Sequence, residues 1–158
     1  MYFDTSYIAK FYFNEPESPR VRELVRKADA IHSSLWALAE FHAVIHRRLR
    51  AGSSSPSDAR ELVLRFSEHI EDGLWNLIPV NEALLRRTSA LMVSAPRDLF
   101  VRTADAVHLT TAHEIGEPAV WTNDRHMLAA AAHGLAVATR NRADFVNAGV
   151  RIVDPFVG

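Results

Sequence analysis

The chain contains no cysteine, so neither disulfides nor thiolate-bound metals contribute to its fold or chemistry. No apolar stretch approaches the roughly 18 residues that a membrane-spanning helix requires. The N-terminus, MYFDTSYIAKFYFNEP, has an acid at position 4 and no basic flank before an apolar run, and so does not read as a signal peptide. The expectation is a soluble protein of a reducing cytoplasm with no membrane partner. A strong excess of basic charge is also missing. The net charge is -1 with neutral histidines, so any nucleic acid must be held by a local patch rather than by bulk charge. Lysine is scarce: all but Lys10 and Lys27 of the 18 basic residues are arginine. Arginine forks suit phosphate, although GC-rich coding gives the same bias. No HExxH spacing occurs among the eight histidines. His42 and His46 are four apart on one predicted helix but lack an evident third ligand, so a zinc site is not expected.

What is present is ordinary for a globular protein. The 158 residues are 48% hydrophobic and 23% charged, enough for one domain spanning 1–158 with a sizeable core. The expected strands are residues 1–5, Ala30 to Leu35, Trp75 to Val80, Ala119 to Thr122 and Leu135 to Thr139, with Arg151 to Val153 as a sixth at an edge. The expected helices are Tyr7 to Phe13, Pro19 to Ala28, Trp36 to Leu49, Asp58 to Ile70, Asn81 (as cap) to Val93, Thr103 to Ile115, and Asp124 to His133. Leu38, Phe41, Ile45 and Leu49 follow the helical period. Gly52, Gly116 and Gly134 stop helices. Ser57, ahead of an acidic first turn, reads as a cap. The segment GSSSPS is too short to separate two domains. Short, continuously apolar strands alternating with helices predict a three-layer α/β/α sandwich around a mostly parallel sheet of about five strands.

In such a sheet, functional groups gather beyond the C-terminal ends of the strands. Asp4 closes the first strand. Asp124 follows the fourth in WTND. Glu40 lies in the first turns of the helix after the second strand, and Asp105 in the first turn of the helix that begins at Thr103. All four acids are therefore expected on one edge of the sheet. Clustered carboxylates repel one another unless a divalent cation lies among them. Hard oxygen ligands select Mg²⁺ or Mn²⁺, ions that activate water and stabilise charge on phosphate. Taken singly, each acid also fits a helix cap or a solvated face.

The same residues carry a family resemblance. YFDTSYIAKFYFNEPES resembles the opening of PIN-domain proteins, specifically toxins of the VapC type. ALAEFHAVIHRRL, RTADAVHLTTAHEIG and VWTNDRHMLAAAAHGL resemble that family's second, third and fourth acidic elements. The resemblance covers nearly the whole chain. It implies a Mg²⁺- or Mn²⁺-dependent endoribonuclease, the toxin of a type II toxin–antitoxin pair, usually a homodimer, with an antitoxin tail blocking a groove near the site. It implies Asp4 and Asp105 as direct metal ligands, with Glu40 and Asp124 completing the cluster. Ser6, or Thr5, would hydrogen-bond a carboxylate or a water, and Asn123 would orient Asp124 or contact RNA.

The tail departs from the pattern. VATRNRADF resembles the ending of another branch of the family, so Asp144 competes with Asp124 for the fourth position. Other readings remain. A PIN-like module could bind RNA or protein without cutting. A phosphoacceptor receiver would need paired acids near its start and a late lysine, and a dehalogenase-like hydrolase would need D-x-D where this chain has Asp4-Thr5-Ser6.

Overall fold

Tyr2 and Phe3 are both fully buried, yet they belong to different cores because successive strand residues face opposite sides of a sheet. Phe3 packs with Tyr7, Ile8, Phe41, Phe66, Trp75 and Trp121. Tyr2 packs with Leu109, Ala112, Val120 and Met127. The register pairs Tyr2 with Val120 and Phe3 with Trp121, so the neighbouring strand divides its residues between the same two cores. A sheet buried on both faces follows, which accounts for strands that are apolar without alternation.

The computed structural model describes residues 1–97, 99–124, 126 and 127, and the backbone of Val137 and Ala138. Its elements are β1 (Tyr2–Phe3), α1 (Thr5–Tyr12), α2 (Ser18–Lys27), β2 (His32–Ser34), α3 (Trp36–Arg50), α4 (Pro56–Glu71), β3 (Asn76–Ile78), α5 (Glu82–Ser94), α6 (Thr103–Glu114), β4 (Val120–Trp121) and β5 (Val137–Ala138). The sheet order is β3-β2-β1-β4-β5, and every pairing is parallel. The result is an α/β/α sandwich with a parallel central sheet. From β1 the chain builds outward through β2 and β3, then crosses to β4 on the other side. The order therefore reverses between β1 and β4, and a crevice opens at their carboxyl ends.

Local chemistry explains most helix boundaries. Asn81 caps α5 by accepting from the Leu84 N–H, and Gly116, at φ 70°, takes the left-handed conformation just beyond α6. One cap differs from expectation. α4 begins two residues early at Pro56, and Ser55, not Ser57, is its cap, in a reciprocal box with Asp58. Proline at the first helical position needs no N–H partner, so the serine before it is free to cap. Phe11, Tyr12 and Phe13 pack against the core. The Tyr12 ring lies 5.0 Å from Phe41 and 5.7 Å from Phe66, and its hydroxyl accepts from Trp75 Nε1 at 2.7 Å. Of the helix expected over Asp124 to His133, Asp124, His126 and Met127 are described, and the last two are helical. The sixth strand, Gly134 and Asp144 lie outside the described residues. Among the described residues no helix is long and apolar enough to cross a membrane.

Candidate functional site

Asp4 is 4% exposed at the carboxyl end of β1. It caps α1: Oδ1 accepts the Tyr7 N–H at 3.0 Å and the Ser6 hydroxyl at 2.6 Å. Oδ2 accepts the Thr122 hydroxyl, just past β4, at 2.5 Å. These three partners are neutral. Burial pushes the Asp4 carboxyl above its usual range, while nearby His108 and the Ser6 and Thr122 hydroxyls work against the rise. Burial therefore favours the neutral carboxyl, and the donors around it favour the charged one.

Glu40 reaches the same crevice from α3. Its Oε2 accepts from Thr5 Oγ1 at 2.5 Å and His108 Nε2 at 2.8 Å. Burial alone would raise the Glu40 carboxyl. The hydrogen bond and charge of His108, the Thr5 hydroxyl and the charge of Arg102 outweigh it and hold the group below the usual carboxylate range. An ionised carboxylate can only accept, so Nε2 carries the proton. On the other side of the ring, Nδ1 lies 2.9 Å from the Tyr2 hydroxyl. Burial holds that phenol protonated, far above its ordinary range, as a donor requires. Tyr2, His108 and Glu40 thus form a chain of hydrogen bonds from the interior to the site.

Asp105, 5% exposed, lies in the first turn of α6, a helix buried continuously from Asp105 to Ala112. Its Oδ2 accepts the backbone N–H of Arg102 at 3.3 Å. The Arg102 guanidinium adds a fork, Nε to Oδ2 at 2.9 Å and Nη2 to Oδ1 at 3.1 Å. The same Nη2 donates to Asp124 Oδ2. Asp124 is fixed by the His126 N–H at 2.8 Å, and its own N–H donates to Thr122 Oγ1 at 2.9 Å. Burial would raise the Asp124 carboxyl. The His126 N–H and the hydrogen bond and charge of Arg102 reverse that and lower it.

Asp4, Ser6, Glu40, Asp105 and Asp124 all line one cavity of about 550 Å³, together with Lys10, Arg47, Arg102 and Asn123. Among the described residues, however, no three His, Asp or Glu side chains converge closely enough to hold one ion. The donor chemistry still fits a hard divalent cation: carboxylate oxygens only, one of them (Asp4) buried beside neutral partners. A positive group already stands between two of the acids, since Arg102 bridges Asp105 and Asp124. Thr5 and Ser6 lie in the first turn of α1, whose cap is Asp4, and each donates to a carboxylate. Asn123 does not orient Asp124; its amide donates to Glu17 Oε2 at 3.3 Å and its backbone N–H to Ser6 Oγ at 3.1 Å.

Three residues of this network are not conspicuous in the sequence. Thr122 sits one residue beyond β4, where a strand-end search that included hydroxyls as well as acids would find it. Arg102 precedes Asp105 by one helical turn, and His108 follows it by one. His108 is a satisfied core histidine, as an apolar helix suggests, but its partner Glu40 belongs to the site. His42 and His46 instead line an apolar cleft between α3 and α4, with Leu49, Pro56, Val63 and Leu64.

Three solved structures share this architecture. VapC20 from Mycobacterium tuberculosis, described as a sarcin-ricin-loop-cleaving toxin, aligns with a TM-score of 0.66 at 16% identity, over 85% of this chain and 95% of its own. FitAcB from Neisseria gonorrhoeae aligns at 0.58 with 19% identity, over 98% and 96%. A toxin–antitoxin complex from Klebsiella pneumoniae aligns at 0.52 with 18% identity, over 98% and 97%. At these identities the likeness is one of fold. No curated protein matches the chain in sequence. The family model for the PIN domain matches residues 1–134, the stretch that supplies every acid of the cavity, and the chain belongs to the PIN-domain family.

Proposed function

We propose that this chain is a Mg²⁺- or Mn²⁺-dependent endoribonuclease, the toxin of a type II toxin–antitoxin pair. The observation that carries the reading is the meeting of four acids, from the ends of β1 and β4 and the early turns of α3 and α6, in one cavity at the crevice of the sheet. VapC20 is a toxin that cleaves the sarcin-ricin loop, and the Klebsiella structure is a toxin–antitoxin complex; the shared fold supports RNA as the substrate here and an antitoxin as a partner. A second copy of the chain is a further partner. Leu85, Met92 and Val93 of α5 are exposed at spacings that form one apolar strip, which suits association. A toxin of this kind works in the cytoplasm.

In this reading Asp4 and Asp105 would hold the ion, and Glu40 and Asp124 would complete the acidic set, through waters or a second metal. When bound, the ion would supply a water of lowered pKa and Lewis acidity toward phosphate. Ser6 and Thr122 fix both oxygens of Asp4. Thr5 and His108 fix Glu40, which is held ionised and can accept a proton from the attacking water. Arg47 lines the cavity from an exposed position on α3 and offers a cation to the RNA backbone. The purified chain should cut total bacterial RNA at internal sites in Mg²⁺ and stop in EDTA. Because water rather than the 2′-hydroxyl attacks, the fragments should carry no 2′,3′-cyclic phosphate. Cyclic ends, or EDTA-resistant cutting, would refute the mechanism.

Two further results are expected. Asp124→Asn should cripple cleavage and Asp144→Asn should leave it near wild type, read in the same assay; the reverse pattern would move the fourth acid to the tail. His108→Gln should lower kcat roughly 10- to 100-fold, the usual effect of losing a partner that orients a site carboxylate, with KM little changed. Steady-state kinetics would show this, and an unchanged kcat would reduce His108 to packing. The same variant removes one of the hydrogen bonds of the buried Tyr2 hydroxyl, costing about 1 kcal/mol of stability.

A further inference from the structure

We infer that Arg102 is the site's resident counter-cation: it ties Asp105 to Asp124 while no divalent ion is bound, and it must release them for the ion to enter. The inference rests on the metal-dependent reading above but concerns a residue that reading does not require. Asp105 begins α6 and Asp124 follows β4, so two like charges on separate elements face one cavity. The Arg102 guanidinium spans them, with a bidentate fork on Asp105 and a further bond to Asp124. Such forks are the strong form of the charged hydrogen bond.

The geometry also lets the arginine leave. Arg102 precedes α6 in extended conformation, at φ -81° and ψ 154°, and its side chain is 46% exposed while that of Asp105 is 7% exposed. The acid is the buried partner and the cation the half-exposed one. A guanidinium brings one positive charge to two carboxylates, whereas a divalent ion brings two. Binding therefore exchanges one cation for a stronger one, and the affinity measured for the ion is reduced by the arginine it displaces.

A purely structural role predicts the opposite sign. If Arg102 served only to place Asp105, its loss would disorder a ligand and weaken metal binding. The test is isothermal titration of Mn²⁺ into the full-length chain, without RNA, for wild type, Arg102→Ala and Arg102→Lys. The counter-cation account predicts that Arg102→Ala binds Mn²⁺ roughly tenfold tighter, equivalent to about 1.4 kcal/mol. Arg102→Lys should fall between, since an ammonium keeps the charge but not the fork. In EDTA the alanine variant should melt below wild type, and saturating Mn²⁺ should raise its Tm by more than it raises that of wild type. Unchanged or weaker binding by the variants, with wild type binding normally, would overturn this inference alone. No Mn²⁺ binding by any of the three proteins would overturn the metal-dependent reading and this inference together. If the alanine variant does not fold, the lysine variant decides by the same sign.

Discussion

Asp4→Asn is expected to lower Mg²⁺-dependent RNA cleavage by roughly a thousandfold or more, while the protein becomes no less stable. The activity term follows from the ion, which supplies several kcal/mol of transition-state stabilisation, with each 1.4 kcal/mol or so worth about tenfold in rate. The stability term follows from the surroundings of Asp4. Asparagine caps a helix about as well as aspartate, so the bond from the Tyr7 N–H survives. The amide oxygen can still accept from Ser6, and the Thr122 hydroxyl can turn to accept from the new NH₂. What disappears is a buried charge whose neutral form the fold favours. Relief of that charge raises Tm by about 2–4 °C for each kcal/mol recovered in a chain of this size.

The sign can be checked by pH. Because the folded pKa of Asp4 is raised, its favourable contribution is fully present below the ordinary value of 3.8 and is lost as pH rises through the higher folded value. In EDTA, the Tm advantage of Asp4→Asn over wild type should therefore grow as pH rises from about 3.8, and added Mg²⁺ should erase it. Differential scanning fluorimetry across pH measures both. An advantage that shrank with rising pH would mean that Asp4 is stabilising and structural.

Asp105→Asn is expected to remove cleavage to the same degree but to move stability the other way. Here the carboxylate is paired: it takes the Arg102 fork and the Arg102 backbone N–H. Asparagine keeps one acceptor for the N–H and loses the ion pair. The Arg102 side chain is 46% exposed, so solvent screening limits the loss to about 1 kcal/mol, or a Tm lower by about 2–4 °C. Two acids of one site would then share an activity phenotype and differ in stability, as expected when one faces neutral donors and the other an arginine. Cleavage rates and melting curves on the same two preparations would show it. Retained activity in Asp105→Asn would remove α6 from the site.

The parallel architecture was legible because it depends on local pattern. Tyr2-Phe3 and Val120-Trp121 are short and apolar, each followed by a polar residue (Asp4 and Thr122) at a crevice-facing end, and helices separate the strands in sequence. The acids were legible for the same reason: a strand end or a first helical turn fixes position along the sheet whatever the tertiary detail. What the sequence does not carry is pairing across elements. Nothing local to Arg102 says that it reaches Asp124, more than twenty residues away. Nothing local to His108 says that its two ring nitrogens join Tyr2 to Glu40. Those bonds exist because β1, α3 and α6 meet at the crevice. The Ser55 cap is a smaller case: two serines flank Pro56, and only the chain's approach to α4 selects between them.

The central claim is that the Asp4 crevice binds a divalent ion in order to cut RNA. The most direct measurement is the rate of RNA cleavage against Mg²⁺ concentration for wild type and Asp4→Asn, each purified and shown to be folded. The account predicts a saturable rise for wild type, no cleavage in EDTA, and a flat line near zero for the variant. Cleavage by wild type that persists in EDTA, or a variant that follows the wild-type curve, would contradict it.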